Sequence, residues 1–215
     1  MKKAFTMIEI IFVILVIGIL AAVIASRGGP SSLDLAAEQV AQHIRYTQHL
    51  AMVDDVYDPN DSNWYKKRWQ IYFNKHGDAN GKWGYIVFSD SAGDYTGNPS
   101  KDEIAKDPLS GKYISNGFTG LTYNSGKTEK SANLGETYGI GDISLESESN
   151  GCSVSQRLAF DYLGRPVVGN STSLKKPYKT ETLSRLMKNQ CRIVLKKGDE
   201  SKIIYVEPET GYVHF

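Results

Sequence analysis

Glu9 is the residue whose chemistry most needs an explanation. It is the only charged side chain in an apolar stretch that begins at Phe5 and runs to Ala25. A carboxylate in such a setting costs about 2.5 kcal/mol or more, and such residues are usually kept because the charge is used. A plainer alternative is a carboxylate near a helix end that reaches up to the interface. Cys152 and Cys191 are the chain's two cysteines. They would form one disulfide in an oxidising compartment, or stay as two buried thiols otherwise. Gly120-Leu-Thr-Tyr-Asn-Ser-Gly126-Lys127-Thr128 approaches a phosphate-binding loop. It has one residue too many between its glycines and no helical pattern behind it, so it reads as an ordinary loop. Asp78-Ala-Asn80-Gly81 opens like a calcium loop but lacks the downstream glutamate, and Asp107-Pro108 before Gly111 and Tyr113 is another partial set. His43, His49, His76 and His214 lack metal-ligand spacing, and there is no nucleophile elbow. The expectation is a protein that is not an enzyme and has no cofactor or metal.

Three basic clusters could hold single-stranded nucleic acid by charge and stacking. They are Lys66-Lys67-Arg68 beside Tyr65 and Trp69, Lys175-Lys176 with Lys179, and the set Arg185, Lys188, Arg192 and Lys196. Against this, 25 basic and 24 acidic residues leave a net charge of +1. That provides no broad basic footprint, so the clusters read as solvated faces.

The elements that must position these residues divide unevenly along the chain. Its 215 residues are 40% apolar, enough for one anchoring segment and one head with a real core. The apolar residues crowd into residues 1–26, and the remainder is rich in Gly, Ser, Asn, Asp and Tyr. Phe5 to Ala25 has the length of a helix crossing ~30 Å of hydrocarbon. Lys2 and Lys3 before it fit a cytoplasmic start. A secretory signal cut near Ala21-Ala22-Val23 or Ile24-Ala25-Ser26 would share this hydropathy, as would a plain anchor. Neither uses Glu9.

The run Lys3-Ala4-Phe5-Thr6-Met7-Ile8-Glu9 resembles the processing signal of type IV pilins and of the pseudopilins of type II secretion. The resemblance implies cleavage by a prepilin peptidase between Ala4 and Phe5, with Ala4 standing where the family usually has glycine. It also implies methylation of the new Phe5 amine, and assembly in which Glu9 pairs with that amine on a neighbouring subunit. The implied partners are other pilins or pseudopilins of the filament, the prepilin peptidase and the inner membrane. The implied location is a single pass through the inner membrane with the head in the periplasm. Export of the head favours the Cys152–Cys191 disulfide.

Beyond the apolar block, residues 27–32 (Arg-Gly-Gly-Pro-Ser-Ser) break the helix. Leu33, Ala37, Val40, Ile44, Thr47 and Ala51 then share one face of a second helix, with Ser32 as its cap and Asp34 in its first turn. Strands are predicted at 68–74, 83–89, 142–145, 157–162, 166–168, 191–195, 202–206 and 212–215, with a hairpin signal at Gly77 and Asn80-Gly81. Residues 91–136 read as a long surface excursion with one short strand near 120–123. In the last third, Arg157–Asp161, Gly164-Arg165-Pro166, Cys191–Leu195, Ile204–Val206 and Thr210-Gly211 resemble the C-terminal sheet of GspH/FimT-type minor pilins.

The expected fold is therefore α+β, a pilin fold with a long apolar N-terminal helix packed on an antiparallel sheet head. Residues 1–4 form the leader, 5–26 the transmembrane and filament-core helix, 27–32 the break and 33–215 the head. The expected function is a structural subunit of a type II secretion pseudopilus or type IV pilus, acting in initiation or at the tip. The alternative is a DNA-binding minor pilin for natural transformation, although the tail Gly211–Phe215 lacks the arginines which that group uses. A membrane-anchored enzyme is a third reading, disfavoured by the missing catalytic constellation.

Overall fold

Leu33, Ala36, Ala37, Val40, Ala41, Ile44, Thr47 and Ala51 recur at helical spacing, and all are buried on one side of α2 (Ser32–Val53). This helix organises the head in a computed structural model that describes residues 6–26, 29–92, 95–148, 151–152, 155–176 and 185–215, the side chains of 24–26 and 171 aside. Its first turn is fastened to the sheets by two lysines. Lys202 Nζ lies 2.9 Å from Asp34 Oδ1, and Lys197 Nζ bonds Ser32 Oγ. Asp34 also suits the positive end of the helix dipole.

Two antiparallel sheets close on this helix. The first has the order β2-β1-β4-β5 and the second β3-β6-β7-β8. Their strands are β1 (Trp69–Lys75), β2 (Trp83–Ser89), β3 (Asp142–Glu146), β4 (Arg157–Phe160), β5 (Pro166–Val168), β6 (Cys191–Lys197), β7 (Glu200–Val206) and β8 (Val213–His214). Helix α2 contacts β1 and β4 of the first sheet and β6, β7 and β8 of the second. The hairpin between β1 and β2 turns where expected, with Asn80 at φ 57° and Gly81 at φ 66°.

Residues 91–136 do more than run over the surface. Tyr85 and Val87 of β2 face the main core, while Ile86 and Phe88, on the opposite face by strand alternation, pack with Ile104 and Leu121. Single bridges, Phe88 to Ile104 and Ile86 to Ser115, hold this cover in place. Glu103 is buried and accepts backbone N–H bonds from Ser91 at 2.5 Å, Ala92 at 2.6 Å and Ser100 at 2.6 Å. No strand forms at 120–123, where the chain turns instead. The segment does include a short helix, α3 (Leu134–Tyr138), at its end.

The N-terminal expectation is corrected. The chain divides into two compact units, Met1–Ser31 and Ser32–Phe215. The helix packed on the sheets is α2, and the apolar helix α1 (Met7–Ser26) belongs to the other unit. A helix seated on a sheet needs one apolar stripe and one polar face, whereas α1 is apolar on every side apart from Glu9. Among the described residues no helix is long and apolar enough to cross a membrane. The single-pass inner-membrane placement is overturned on that ground.

Two glycine turns meet on α2. Gln48 Nε2 donates to the Gly164 carbonyl at 2.7 Å in the β4–β5 turn and to the Thr210 carbonyl at 2.8 Å in the β7–β8 turn. Gly211 sits at φ 63°, and a Cβ there would lie 2.6 Å from Gln48 Nε2 and 2.8 Å from the Gly164 carbonyl. Gly211→Ala should therefore cost at least about 1 kcal/mol in denaturant unfolding. Gly77→Ala, where a Cβ meets nothing within 4 Å, should stay within about 0.5 kcal/mol of the parent. Equal stability of the two variants would refute the clamp.

Candidate functional site

The first turn of α1 carries the residue singled out by the sequence. Thr6 opens it: its carbonyl accepts from Glu9 N at 3.1 Å and from Ile10 N at 3.3 Å. Its hydroxyl accepts from Glu9 N at 3.4 Å. Thr6-Met-Ile-Glu9 has the spacing of a capping box, and the Glu9 carboxylate stands where the helix dipole favours negative charge. This local role was readable as Thr-x-x-Glu but was overshadowed by the charge-in-apolar argument. Ala4 and Phe5 lie outside the described residues. Behind Glu9, α1 exposes large apolar side chains on every side: Ile8 is 76% exposed, Phe12 68%, Ile14 65% and Ile17 59%. An apolar surface this extensive marks an interaction site.

The disulfide is present. Cys152 and Cys191 are bonded with their Cα atoms 5.5 Å apart, and both are buried. Cys152 lies in the loop between β3 and β4, and Cys191 is the first residue of β6, so the bond joins the approach to one sheet with a strand of the other.

The remaining candidates are drawn into local structure. In the phosphate-loop look-alike, the Thr128 hydroxyl is spent on the Tyr123 carbonyl at 3.2 Å. Asp78 begins its turn under His76, whose Nδ1 accepts the Asp78 N–H at 3.2 Å. Asp107 accepts from the Leu109 and Ser110 amides at 3.0 and 2.7 Å. Of the first basic cluster, Lys66 stands 5.5 Å from the Tyr95 ring centroid. Lys67 pairs with Asp61 at 2.8 Å. The Lys67 bond, the Tyr95 hydroxyl and the Asn63 amide hold the Asp61 carboxyl down at about 2. Arg68 turns inward. Arg192 pairs with Glu146, and Arg185 Nη1 donates to Ser173 Oγ at 2.6 Å and the Asn170 carbonyl at 3.2 Å. Lys179 lies outside the described residues.

One buried polar chain had no signal in residue spacing. His43 Nδ1 is 2.6 Å from Tyr85 Oη, and its Nε2 is 3.6 Å from Asp107 Oδ2. Gln39 Nε2 lies 3.1 Å from the same Nε2 and donates to it, so the neutral ring carries its proton on Nδ1 and donates to Tyr85 Oη. Burial pushes the Tyr85 phenol well up, so it keeps its own proton. Burial also lowers the His43 pKa below its ordinary 6.5, with Asp107 pulling the other way.

Scanned against protein families, curated proteins and solved structures, the chain matches none.

Two outcomes follow from this geometry. Unreduced, denatured protein should show no thiol reactive to labelling, and reduction should lower stability by about 4 kcal/mol on the chain-entropy model. Two labelled thiols before reduction would contradict the bond. For His43, the folded pKa lies below the unfolded 6.5, so on acidification the unfolded chain takes up the proton first. Stability is then lost as pH falls below 6.5 toward the lower folded value, and His43 adds no pH dependence well above 6.5. Melting temperature measured from neutral pH down to the carboxylate range should fall less steeply in His43→Gln than in the parent. Parallel curves would remove His43 as the cause.

Proposed function

We propose that this chain is a structural filament subunit of the minor pilin or pseudopilin kind. It is cut between Ala4 and Phe5, methylated on the new Phe5 amine, and assembled with other pilins of a secretion pseudopilus or type IV pilus, in initiation or at the tip. The observation that carries this reading is the pairing of the Ala4-Phe5-Thr6-Met7-Ile8-Glu9 signal with a helix that leaves its apolar side chains uncovered. Fully burying a Leu, Ile or Phe side chain gains about 1.5–3 kcal/mol, so a bundle of such helices from several copies is strongly driven. In that dry setting Glu9 requires a cation. Cleavage at Ala4–Phe5 frees an amine four residues before it, and a pair formed across subunits would set axial register. Removing one partner of a buried pair costs about 3–5 kcal/mol.

Mass spectrometry of the mature protein should find a methylated Phe5 at the N-terminus. A terminus near Ala25 or Ser26 would mean an ordinary secretory signal and end the filament reading. The second test separates the capping role of Glu9 from the ion pair. Glu9→Gln retains a residue that suits the third position of a capping box but has no charge. It should be processed normally and yet co-purify poorly with the other pilins of the machine, with Glu9→Asp partly restoring recruitment. Recruitment of Glu9→Gln at the parent level would exclude the ion pair.

A further inference from the structure

The end of α2, the loop behind it and the β4–β5 turn enclose a cavity of about 300 Å³, within the range of small-ligand sites. Its walls are aromatic, with Tyr57, Trp64, Trp69 and Tyr162 among them. Tyr57 and Trp64 meet edge to face, their ring centroids 5.2 Å apart. Trp69 is fixed in orientation by its Nε1–H, which donates to Asp54 Oδ2 at 2.8 Å. Tyr57 and Tyr162 remain 58% and 61% exposed.

The walls carry three acidic and three basic side chains, and these are engaged unequally. Asp161 is buried and fully engaged: its oxygens accept from the Leu163 and Arg165 amides at 3.0 and 2.9 Å, and from Arg165 Nε and Nη2 at 2.9 and 2.7 Å. Asp54 is taken by Trp69, and Asp55 Oδ1 by the Tyr57 amide at 3.2 Å. Lys67 is held by Asp61. Arg68, which also lines the cavity, donates from Nε to the Tyr65 carbonyl at 3.2 Å. Its Nη1 is buried with no partner among the described residues. A buried donor left without an acceptor costs about 1–3 kcal/mol, and more when it is charged. Burial lowers the Arg68 pKa, Asp161 opposes this, and Arg165 and Arg185 reinforce it. The guanidinium thus retains a donor without an acceptor among the described residues.

We propose that this cavity binds a small aromatic carboxylate, its ring stacked among Tyr57, Trp64 and Trp69 and its carboxylate offsetting the Arg68 guanidinium. A carboxylate can offset the guanidinium charge without a bidentate bond, since Nε donates to Tyr65 and Nη1 is buried. A doubly charged phosphate is disfavoured by Asp54 and Asp55 on the same walls. This site is independent of Glu9 and of filament assembly.

The three tryptophans provide the readout. Trp64 and Trp69 line the cavity, whereas Trp83 lies on β2 and serves as an internal reference. Full-length protein is titrated with benzoate while the indole N–H resonances are followed. Benzamide supplies the ring without the charge, and acetate the charge without the ring. Benzoate should shift Trp64 and Trp69 saturably and leave Trp83 in place, with both comparators about tenfold weaker or worse. Arg68→Met should weaken benzoate about tenfold while leaving the melting temperature unchanged or raised, because an orphaned charge has been removed. Tyr57→Ser, at an exposed position, should weaken binding without unfolding the head, and decides the matter if Arg68→Met fails to fold. The proposal is overturned by the absence of saturable shifts at millimolar benzoate, by equal affinity for benzamide, or by parental affinity in the variant tested.

Discussion

The buried side of α2 is built from small residues, and the rest of the head depends on that. Ala36, Ala37, Ala41 and Ala51 lie among Val40, Ile44 and Thr47 on the buried face. With little side-chain bulk there, two four-stranded sheets can approach one helix. Dispersion and apolar burial across these contacts supply most of the stabilisation. The polar residues of α2 then fasten what the small ones allow to come close. Arg45 Nη2 donates to the Val213 carbonyl at 2.9 Å, Tyr46 Oη to the Lys106 carbonyl at 3.1 Å, and Gln48 to both glycine turns. Thr47 satisfies its own hydroxyl on the His43 carbonyl at 2.7 Å, so it can be buried at little cost. The disulfide adds a covalent tie between the approach to one sheet and a strand of the other.

How much of this could be read beforehand depended on whether a residue's environment was set locally. Leu33, Ala37, Val40, Ile44, Thr47 and Ala51 could be placed because helical period alone puts them on one face. The limits of β2 and β5 could be placed because alternation and glycine or proline punctuation mark them. Burial of Ile104 and Leu121 could not. Each stands alone in a polar stretch, and its burial comes from covering Ile86 and Phe88 on the far side of β2. The pairing of β1 with β4 in one sheet and β3 with β6 in another is likewise non-local, so a single sheet was expected where there are two. The error at the N-terminus had a different origin. Apolar composition indicated a membrane-spanning helix packed on the head, yet a helix without a polar face has no preferred side to offer a sheet.

The same division applies to the sites. Glu9 stood out because its charge conflicts with its immediate neighbours, a purely local signal. The pairing of Cys152 with Cys191 needed only an even count. Lys66-Lys67-Arg68 misled because adjacent residues of one charge look like one surface. The short turn of chain from Trp64 to Lys66 and the strand start at Trp69 send the three side chains to an aromatic ring, an aspartate and a cavity. No periodicity encodes that separation.

The treatment of buried charge elsewhere in the head gives the exceptions their weight. Glu103, out of contact with water, is met by three backbone N–H groups. Asp161 is met by two amides and a guanidinium. Asp107, partly buried, is supplied by its own turn, and these donors outweigh the burial that would raise its pKa, leaving it lowered. Beside Glu103, Asp161 and Asp107, Arg68 is treated differently, since its Nη1 lacks an acceptor. So is Glu9, set at the start of a helix with no other charge. Opposite in sign, neither charge forms an ion pair among the described residues, although Asp161 acts on Arg68 through space. In both places desolvation makes an unmatched charge costly until an external partner arrives, and the same cost makes the interaction selective for the partner that fits. For Glu9 the fitting cation is an amine made by processing. For Arg68 it is an anion able to enter among aromatic rings.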